Sequence, residues 1–450
     1  MNSFVIYRTE ARKLLTLGIP LIGSNLAQFA IGLTDAVMLG WYDVSALAAV
    51  TLAGSFYFVL FLLGGGFAFA VMPMVAEAVE AGDTQRVRRL TRMGMWASVA
   101  YGLLFMVPLI WSEPIFLAIG QEPEIAELGQ LYLRIAGWQL ALGLVVQVLR
   151  SFLSALERTQ VILWVTVGTA VLNVFLNYAL IFGNWGAPEL GLQGAAIASV
   201  TLVFASIIVL VIYVIRVTPE YALFTRLWRI DGPALKSVFQ VGLPIGLTVL
   251  AEVGLFAAAS IMMGWLGTLE LAAHGVALQL ASAVFVVHLG LSQAVTVRAG
   301  RCLGRHDEAG LRVAGKTAFA ISAVIAALGI ALFFIYPKEL VAAFIDPADP
   351  ARDQIIVMGV ALVFMAAIFQ FVDAMQVIAL GLLRGVQDTR IPMYLAAFSY
   401  WGVGMATSYL LGFVFDFGGV GVWAGLVVGL SMACLLLNWR FWIQAVKISV

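Results

Sequence analysis

Charge is what this chain has least of. Its 450 residues include 25 basic and 25 acidic side chains, 11% in all, against 62% hydrophobic, and the mean hydropathy is +1.02. A soluble protein of this length needs more charge to cover its surface. The formal net charge of zero gives no electrostatic ground for a nucleic-acid partner. Cysteine is nearly absent. Cys302 lies beside Arg301 and Cys434 lies inside the last apolar run, which suggests neither a disulfide nor a metal site. The three histidines, His274, His288 and His306, lack metal-ligand spacing. No clustered nucleophile, base and metal ligands stand at membrane depth, so nothing supports an integral-membrane enzyme, and no cofactor is expected. The opening "MNSFVIYRTEARKLL" does not read as a secretory signal, because its apolar run is too long and no small-residue cleavage site follows. It reads as a cytoplasmic lead-in to the first helix.

Long apolar runs are what the chain does have. Nearly all exceed the roughly 18–20 residues that span a bilayer as a helix. Charges and turn residues divide them into twelve spans near 14–41, 46–76, 93–118, 126–155, 161–183, 190–216, 236–264, 270–303, 313–345, 353–383, 392–415 and 419–445. The segments between spans alternate in charge. One side holds 22 of the 25 basic residues, and the other keeps only Arg134, Lys338 and Arg352. The positive-inside rule makes the basic side cytoplasmic and places both termini there. The expected fold class is an all-α polytopic membrane protein.

The chain also repeats itself. "LGIPLIGSNLAQFAIGLTDAVMLGW" (17–41) aligns with "VGLPIGLTVLAEVGLFAAASIMMGW" (241–265) at an offset of 224. Gly18, Pro20, Met38, Gly40 and Trp41 meet Gly242, Pro244, Met262, Gly264 and Trp265. In the next span Gly66 meets Gly290 and Ala70 meets Ala294, and after it Asp83 meets Asp307. Six spans per repeat is an even number, so the two six-helix lobes are parallel repeats, an arrangement found in transporters. The division expected is an N-terminal lobe over 1–220, a cytoplasmic linker over 221–235 and a C-terminal lobe over 236–450. In the linker Arg226, Trp228 and Arg229 suit a membrane surface, and equally a solvated loop.

Three acids lie deep in spans: Asp35, Glu252 and Asp373. A carboxylate in hydrocarbon costs a few kcal/mol, so each faces a cavity or a partner. No embedded lysine or arginine is available to neutralise them. Such an acid takes a proton near neutral pH or recruits a hard cation through its oxygens, and both couple transport to an ion gradient. The plainer reading is an acid hydrogen-bonded to a neighbouring helix. At the repeat offset Glu252 aligns with Gln28 and Asp35 with Ala259, so the lobes are chemically unlike at these positions. Asn173 and Asn177 share a face of span 5, and Gln370 stands three residues before Asp373. Interhelical hydrogen bonding explains such residues as readily as ion ligation. Pro20 and Pro244, near the start of the acid-bearing spans, are hinge candidates.

At these residues the chain resembles the multidrug and toxic compound extrusion (MATE) family, in its NorM-like branch. The main match is "FQFVDAMQVIALGLLRGVQDTRIPM" (369–393), similar to that branch's helix-10 signature and the loop after it. "LNVFLNYALIFG" (172–183), "GLPIGLTVLAE" (242–252), "TVRAGRCLG" (296–304) and "GVWAGLVVGL" (421–430) support it. The resemblance implies a twelve-helix, two-lobe antiporter of the bacterial inner membrane, with a V-shaped cavity and alternating access. It implies export of cationic or amphiphilic organic compounds, by a protein working as a monomer among membrane lipids, in exchange for protons or sodium. Asp35 would be the N-lobe acid, with Asn173 and Asn177 in its polar neighbourhood. Glu252 and Asp373 would be the C-lobe pair and a candidate sodium site, with Gln28 and Gln370 as supporting polar residues. Phe369, one turn before Asp373, offers no oxygen, which leans the coupling ion towards protons. A flippase for a lipid-linked or polar-headed substrate is the alternative on the same architecture, and a basic central cavity would favour it.

Overall fold

The computed structural model describes residues 3–347 and 350–448. Helix α1 spans Ser3–Tyr42, α2 Val44–Glu80, α3 Thr84–Ile110, α4 Glu113–Ala118, α5 Pro123–Ala136, α6 Gln139–Ala155, α7 Thr159–Phe182 and α8 Gly191–Val217. In the second half α9 spans Gly232–Leu266, α10 Thr268–Gly304, α11 Glu308–Ile335, α12 Pro337–Ala342 and α13 Arg352–Gly385. Then come α14 (Arg390–Ala397), α15 (Ala406–Tyr409) and α16 (Gly418–Arg440). Strands are absent among the described residues. With no water in the hydrocarbon to take up backbone N–H and C=O groups, apolar runs of this length close their hydrogen bonds within the helix.

Ten helices among the described residues are long and apolar enough to cross a membrane. An eleventh span is the pair α5 and α6, bent by 48°. The bend falls at Gly137–Trp138, where glycine rather than proline interrupts the run. The twelfth runs from Arg390 to Val414. It is helical throughout but π-wound over Phe398–Met405 and Leu410–Val414. The chain is thus a multi-pass integral membrane protein with two six-helix lobes. Two expected spans were drawn too long. The run 93–118 breaks at Trp111, before "SEP", and the run 313–345 breaks at Tyr336, before Pro337. Each is followed by one short helix, because proline fits the first turn of a helix and not its interior.

The repeat is visible in the element boundaries. Helix α2 runs from Val44 to Glu80 and α10 from Thr268 to Gly304, so both ends stand at the sequence offset of 224. The ends of α4 and α12 are related in the same way. The aligned acids Asp83 and Asp307 do the same work at the starts of α3 and α11. Asp83 accepts from the Arg86 N–H and Asp307 from the Gly310 N–H, each at 2.8 Å, as N-caps do. After α4 and α12 the offset lengthens: α7 starts at Thr159 and α14 at Arg390, an offset of 231.

By packing, the chain divides into two compact units, residues 23–246 and residues 1–22 with 247–450. The cuts fall inside α1 and α9, after Ile22 and after Gly246, just beyond Pro20 and Pro244. They too are related by the offset of the repeat. In the first unit the start of α9 crosses α2 at Gly66, where an added methyl would overlap the backbone of Gly242 and Gly246. In the second unit the start of α1 crosses α10 at Gly290, where a Cβ would come 2.7 Å from the Ile22 nitrogen. Small residues permit this approach of two helix backbones. The aligned pair Gly66 and Gly290 therefore serves the same crossing in each unit. The second unit adds a buried ion pair. Arg298 on α10 donates to both carboxylate oxygens of Glu10 on α1, at 2.8 and 2.9 Å.

Candidate functional site

The three acids deep in the spans lie in two places, one per unit. In residues 23–246, Asp35 on α1 accepts from two asparagines of α7. Asn173 Nδ2 stands 2.8 Å and Asn177 Nδ2 2.6 Å from the same Asp35 oxygen. Their four-residue spacing puts both amides on one face of α7, one turn apart. Both asparagines are fully buried, and their Oδ1 atoms have no hydrogen-bond partner. Tyr132 of α5, which the sequence did not single out, lies within electrostatic reach of Asp35. Gln28, also on α1, is exposed and forms no hydrogen bond to this cluster.

In the other unit Glu252 on α9 and Asp373 on α13 are 7% and 5% exposed and lie within electrostatic range of each other. Gln376, one turn after Asp373, donates its amide to Glu252 Oε1 at 3.2 Å and to the Tyr400 hydroxyl. Tyr400 is fully buried and comes from the π-wound stretch Phe398–Met405. One Asp373 oxygen and the Gln376 Oε1 have no hydrogen-bond partner. Gln370 goes elsewhere. Its side chain lies against Gly329 of α11, and both of its amide atoms are unpartnered. Phe369 packs edge-on against Phe256 and Trp423, with ring centroids 5.7 Å apart in both cases. An apolar aromatic layer thus stands one helical turn from each acid.

The expectation that no arginine attends these acids fails at Glu252. Arg384 is held within electrostatic range of Glu252 and Tyr400. Charge counting ended the span at residue 383 and assigned Arg384 to the loop. In the structure α13 continues to Gly385, so Arg384 sits in its last turn, and a long side chain there reaches back along the helix. Gln376 was legible in principle, since residues 370, 373 and 376 recur at three-residue spacing on α13. Tyr400 was not, because only the spatial pairing of neighbouring spans brings it to Gln376.

Pro20 and Pro244 lie within α1 and α9, which run through them as continuous helices. Of the histidines, His274 accepts from the Trp423 indole N–H at Nδ1 (3.1 Å), so its other nitrogen, 2.9 Å from the Ser260 hydroxyl, carries the proton. His288 Nδ1 meets Ser322 Oγ at 3.0 Å.

Comparison with known proteins agrees with this architecture. The MatE family model matches residues 20–179 and 244–410, one segment in each half of the chain. A "Probable multidrug resistance protein NorM" of Rhizobium meliloti is 47% identical over 437 residues, covering 96% of this chain and 93% of that protein. Its counterpart from Agrobacterium fabrum is 47% identical over 95% of this chain and 92% of that one. Among solved structures, the eukaryotic MATE transporter AtDTX14 superposes with a TM-score of 0.88 at 21% identity, covering 98% of this chain and 97% of its own. At that identity the likeness speaks for the fold. With a family model across both halves and relatives at 47% identity over nearly the whole length, the chain belongs to the multidrug and toxic compound extrusion family, in its NorM-like branch.

Proposed function

We propose that the protein is a secondary active antiporter that exports cationic or amphiphilic organic compounds in exchange for protons or sodium. The observation that carries this reading is the buried pair Glu252 and Asp373, set in a low-dielectric site with unpartnered acceptor oxygens. Two carboxylates held close repel each other, and a proton or a small cation relieves that repulsion. Arg384 offsets one charge from one side, which leaves the pair short of one positive charge. Asp35, with its two asparagine donors, is the corresponding acid of the other unit, and the unpartnered asparagine carbonyls add oxygens around it. Gln370, set against α11, and Gln28, exposed on α1, are assigned supporting roles at most.

Ion loading from outside neutralises the acids, weakens their hold on a cationic compound and favours the inward switch. Release of the ion inside bares the carboxylates for the next compound. Such coupling shifts the equilibrium only to the extent that the ion binds one state more tightly. Bending of α1 and α9 at Pro20 and Pro244, next to the packing boundaries, is the motion we assign to the switch. Both termini face the cytoplasm of the bacterial inner membrane in this reading, and one chain suffices for function. The test uses proteoliposomes. Asp373→Asn should abolish ion-driven exchange of a cationic dye while the protein remains inserted, and exchange at the wild-type rate would sink the proposal. Imposing sodium and proton gradients separately on the wild type identifies the coupling ion.

A further inference from the structure

A second site of unlike chemistry lies in residues 23–246 and shares no residue with the Asp35 cluster. The start of α3 and the segment joining α8 to α9 enclose a cleft of about 710 Å³. Arg88, Arg89, Arg92, Arg226 and Arg229 line it, against one acid, Asp231. That acid is already engaged. It lies 3.4 Å from Arg89 Nε and accepts from the Ala234 N–H as the cap of α9. Arg88, Arg226 and Arg229 have no carboxylate partner among the described residues. Arg92 is only 8% exposed. Its Nε and Nη2 donate to the carbonyls of Leu223, Ala222 and Thr225, so it fixes the segment's path but meets no negative charge. Arg88 stands within electrostatic range of it. Like charges gathered in one concave place repel one another and raise the local potential, which attracts an anion. The first turn of α9, at Gly232 and Pro233, borders the same cleft, and the helix dipole adds positive potential there.

The rim is apolar. In "RLWRI" (226–230) the arginines alternate with Leu227, Trp228 and Ile230, and Trp228 is 77% and Ile230 61% exposed. Trp96 donates its indole N–H to the Leu227 carbonyl at 2.8 Å and so ties this rim to α3. Met93, where the apolar run of that span begins, also lines the cleft. Exposed tryptophan and isoleucine beside arginines at the end of a membrane span is the composition of a headgroup-level belt. We infer that this cleft binds the phosphate headgroup of an anionic phospholipid from the adjoining leaflet. The arginines take the phosphate oxygens through charge-assisted hydrogen bonds, and Trp228 and Ile230 lie along the upper acyl chains.

Native mass spectrometry of the purified full-length protein, equilibrated with phosphatidylglycerol or phosphatidylcholine, tests this. The wild type should retain phosphatidylglycerol in preference. R88Q/R226Q/R229Q should weaken that retention by about fivefold per arginine, roughly a hundredfold for three. R8Q/R12Q/R390Q, which removes the same charge from other exposed positions, should retain the lipid as the wild type does. Equal loss in both triple variants would overturn the site in favour of diffuse surface attraction, and so would a wild type that does not discriminate between the two lipids. Soluble glycerol 1-phosphate forms a third arm. If it binds as tightly as the lipid, the apolar rim contributes nothing and the lipid assignment fails. Trp228→Ala should weaken phosphatidylglycerol without changing glycerol 1-phosphate. If the triple variant does not fold, Arg226→Gln alone, at an exposed position, should still show the fivefold loss, and its absence overturns the proposal.

Discussion

In residues 23–246 one carboxylate, Asp35, is held by two carboxamides of a regular α-helix. In the other unit two carboxylates, Glu252 and Asp373, share one carboxamide, a tyrosine and an arginine, and the helix that brings the tyrosine is π-wound. The difference begins in α1 and α9, where Asp35 aligns with Ala259 and Glu252 with Gln28, and it widens where the repeat loosens. Through α4 and α12 the halves keep one offset in the ends of α2 and α10 and in the caps at Asp83 and Asp307. Beyond them α5 and α6 meet at a 48° bend while α13 is one unbroken helix. At the offset of 231 that relates α7 to α14, Asn173 and Asn177 correspond to Gly404 and Ser408, so the span facing the C-terminal pair has lost the amides. π-winding recurs at functional sites, and here it delivers the Tyr400 hydroxyl instead. The duplicated frame has been kept where helices cross, and its chemistry has diverged where ions would bind.

The comparison can be broken or sharpened by mutation, with stability read from unfolding in mixed micelles. The largest effect is expected at the ion pair that one unit has and the other lacks. Arg298→Ala leaves the buried Glu10 with only the exposed Lys13 ammonium, 4.0 Å away, as counter-charge and should cost about 3 kcal/mol, the low end for a broken buried pair. At the repeat offset Glu10 and Arg298 correspond to Ala234 and Met74. The double change Glu10→Ala with Arg298→Met copies that apolar pair and should recover most of the loss. A double variant as damaged as the single would mean the pair does more than hold α1 to α10.

Next come the carboxamides, at about 1.5–3 kcal/mol for a hydrogen bond to a charged group. Gln376→Leu should cost more than Asn177→Leu, since Gln376 serves both Glu252 and Tyr400 while Asp35 keeps Asn173. The reverse order would show that the C-terminal cluster is held by Arg384 instead. Gly66→Ala and Gly290→Ala should each cost about 1–3 kcal/mol by forcing helix backbones apart. Unequal costs would break the equivalence of the two crossings. Tyr400→Phe is the mildest, at about 1 kcal/mol, and should alter ion selectivity more than stability in the proteoliposome assay.

Hydropathy and charge alternation were enough to read the spans, because a bilayer imposes length and apolarity on every crossing segment. The offset of 224 was legible because glycines, prolines and capping acids are fixed by backbone demands that both halves share. What escaped was whatever depends on the neighbour a helix meets. The ends of α3 and α11 were misjudged because hydropathy continues through "SEP" and Pro337 although the backbone cannot. Arg384 looked like a loop residue because a charge was taken to end a helix, whereas a long side chain lets the helix go on. The three acids stood out because charge is so rare here. The Asn173 and Asn177 spacing hinted at a shared target, but only the packing of α7 on α1 made that target Asp35.

The cuts inside α1 and α9 bear on how the molecule is made. One unit consists of the chain up to Ile22 and everything after Gly246, so its core joins the earliest part of the chain to the latest. During synthesis the opening turns of α1, with Glu10 among them, enter the membrane long before α10 brings Arg298. That acid must wait, with only Lys13 beside it, while more than half of the chain is translated. A ribosome that stops at the linker leaves both units incomplete, which makes biogenesis all-or-none for a protein whose sequence looks like two independent halves.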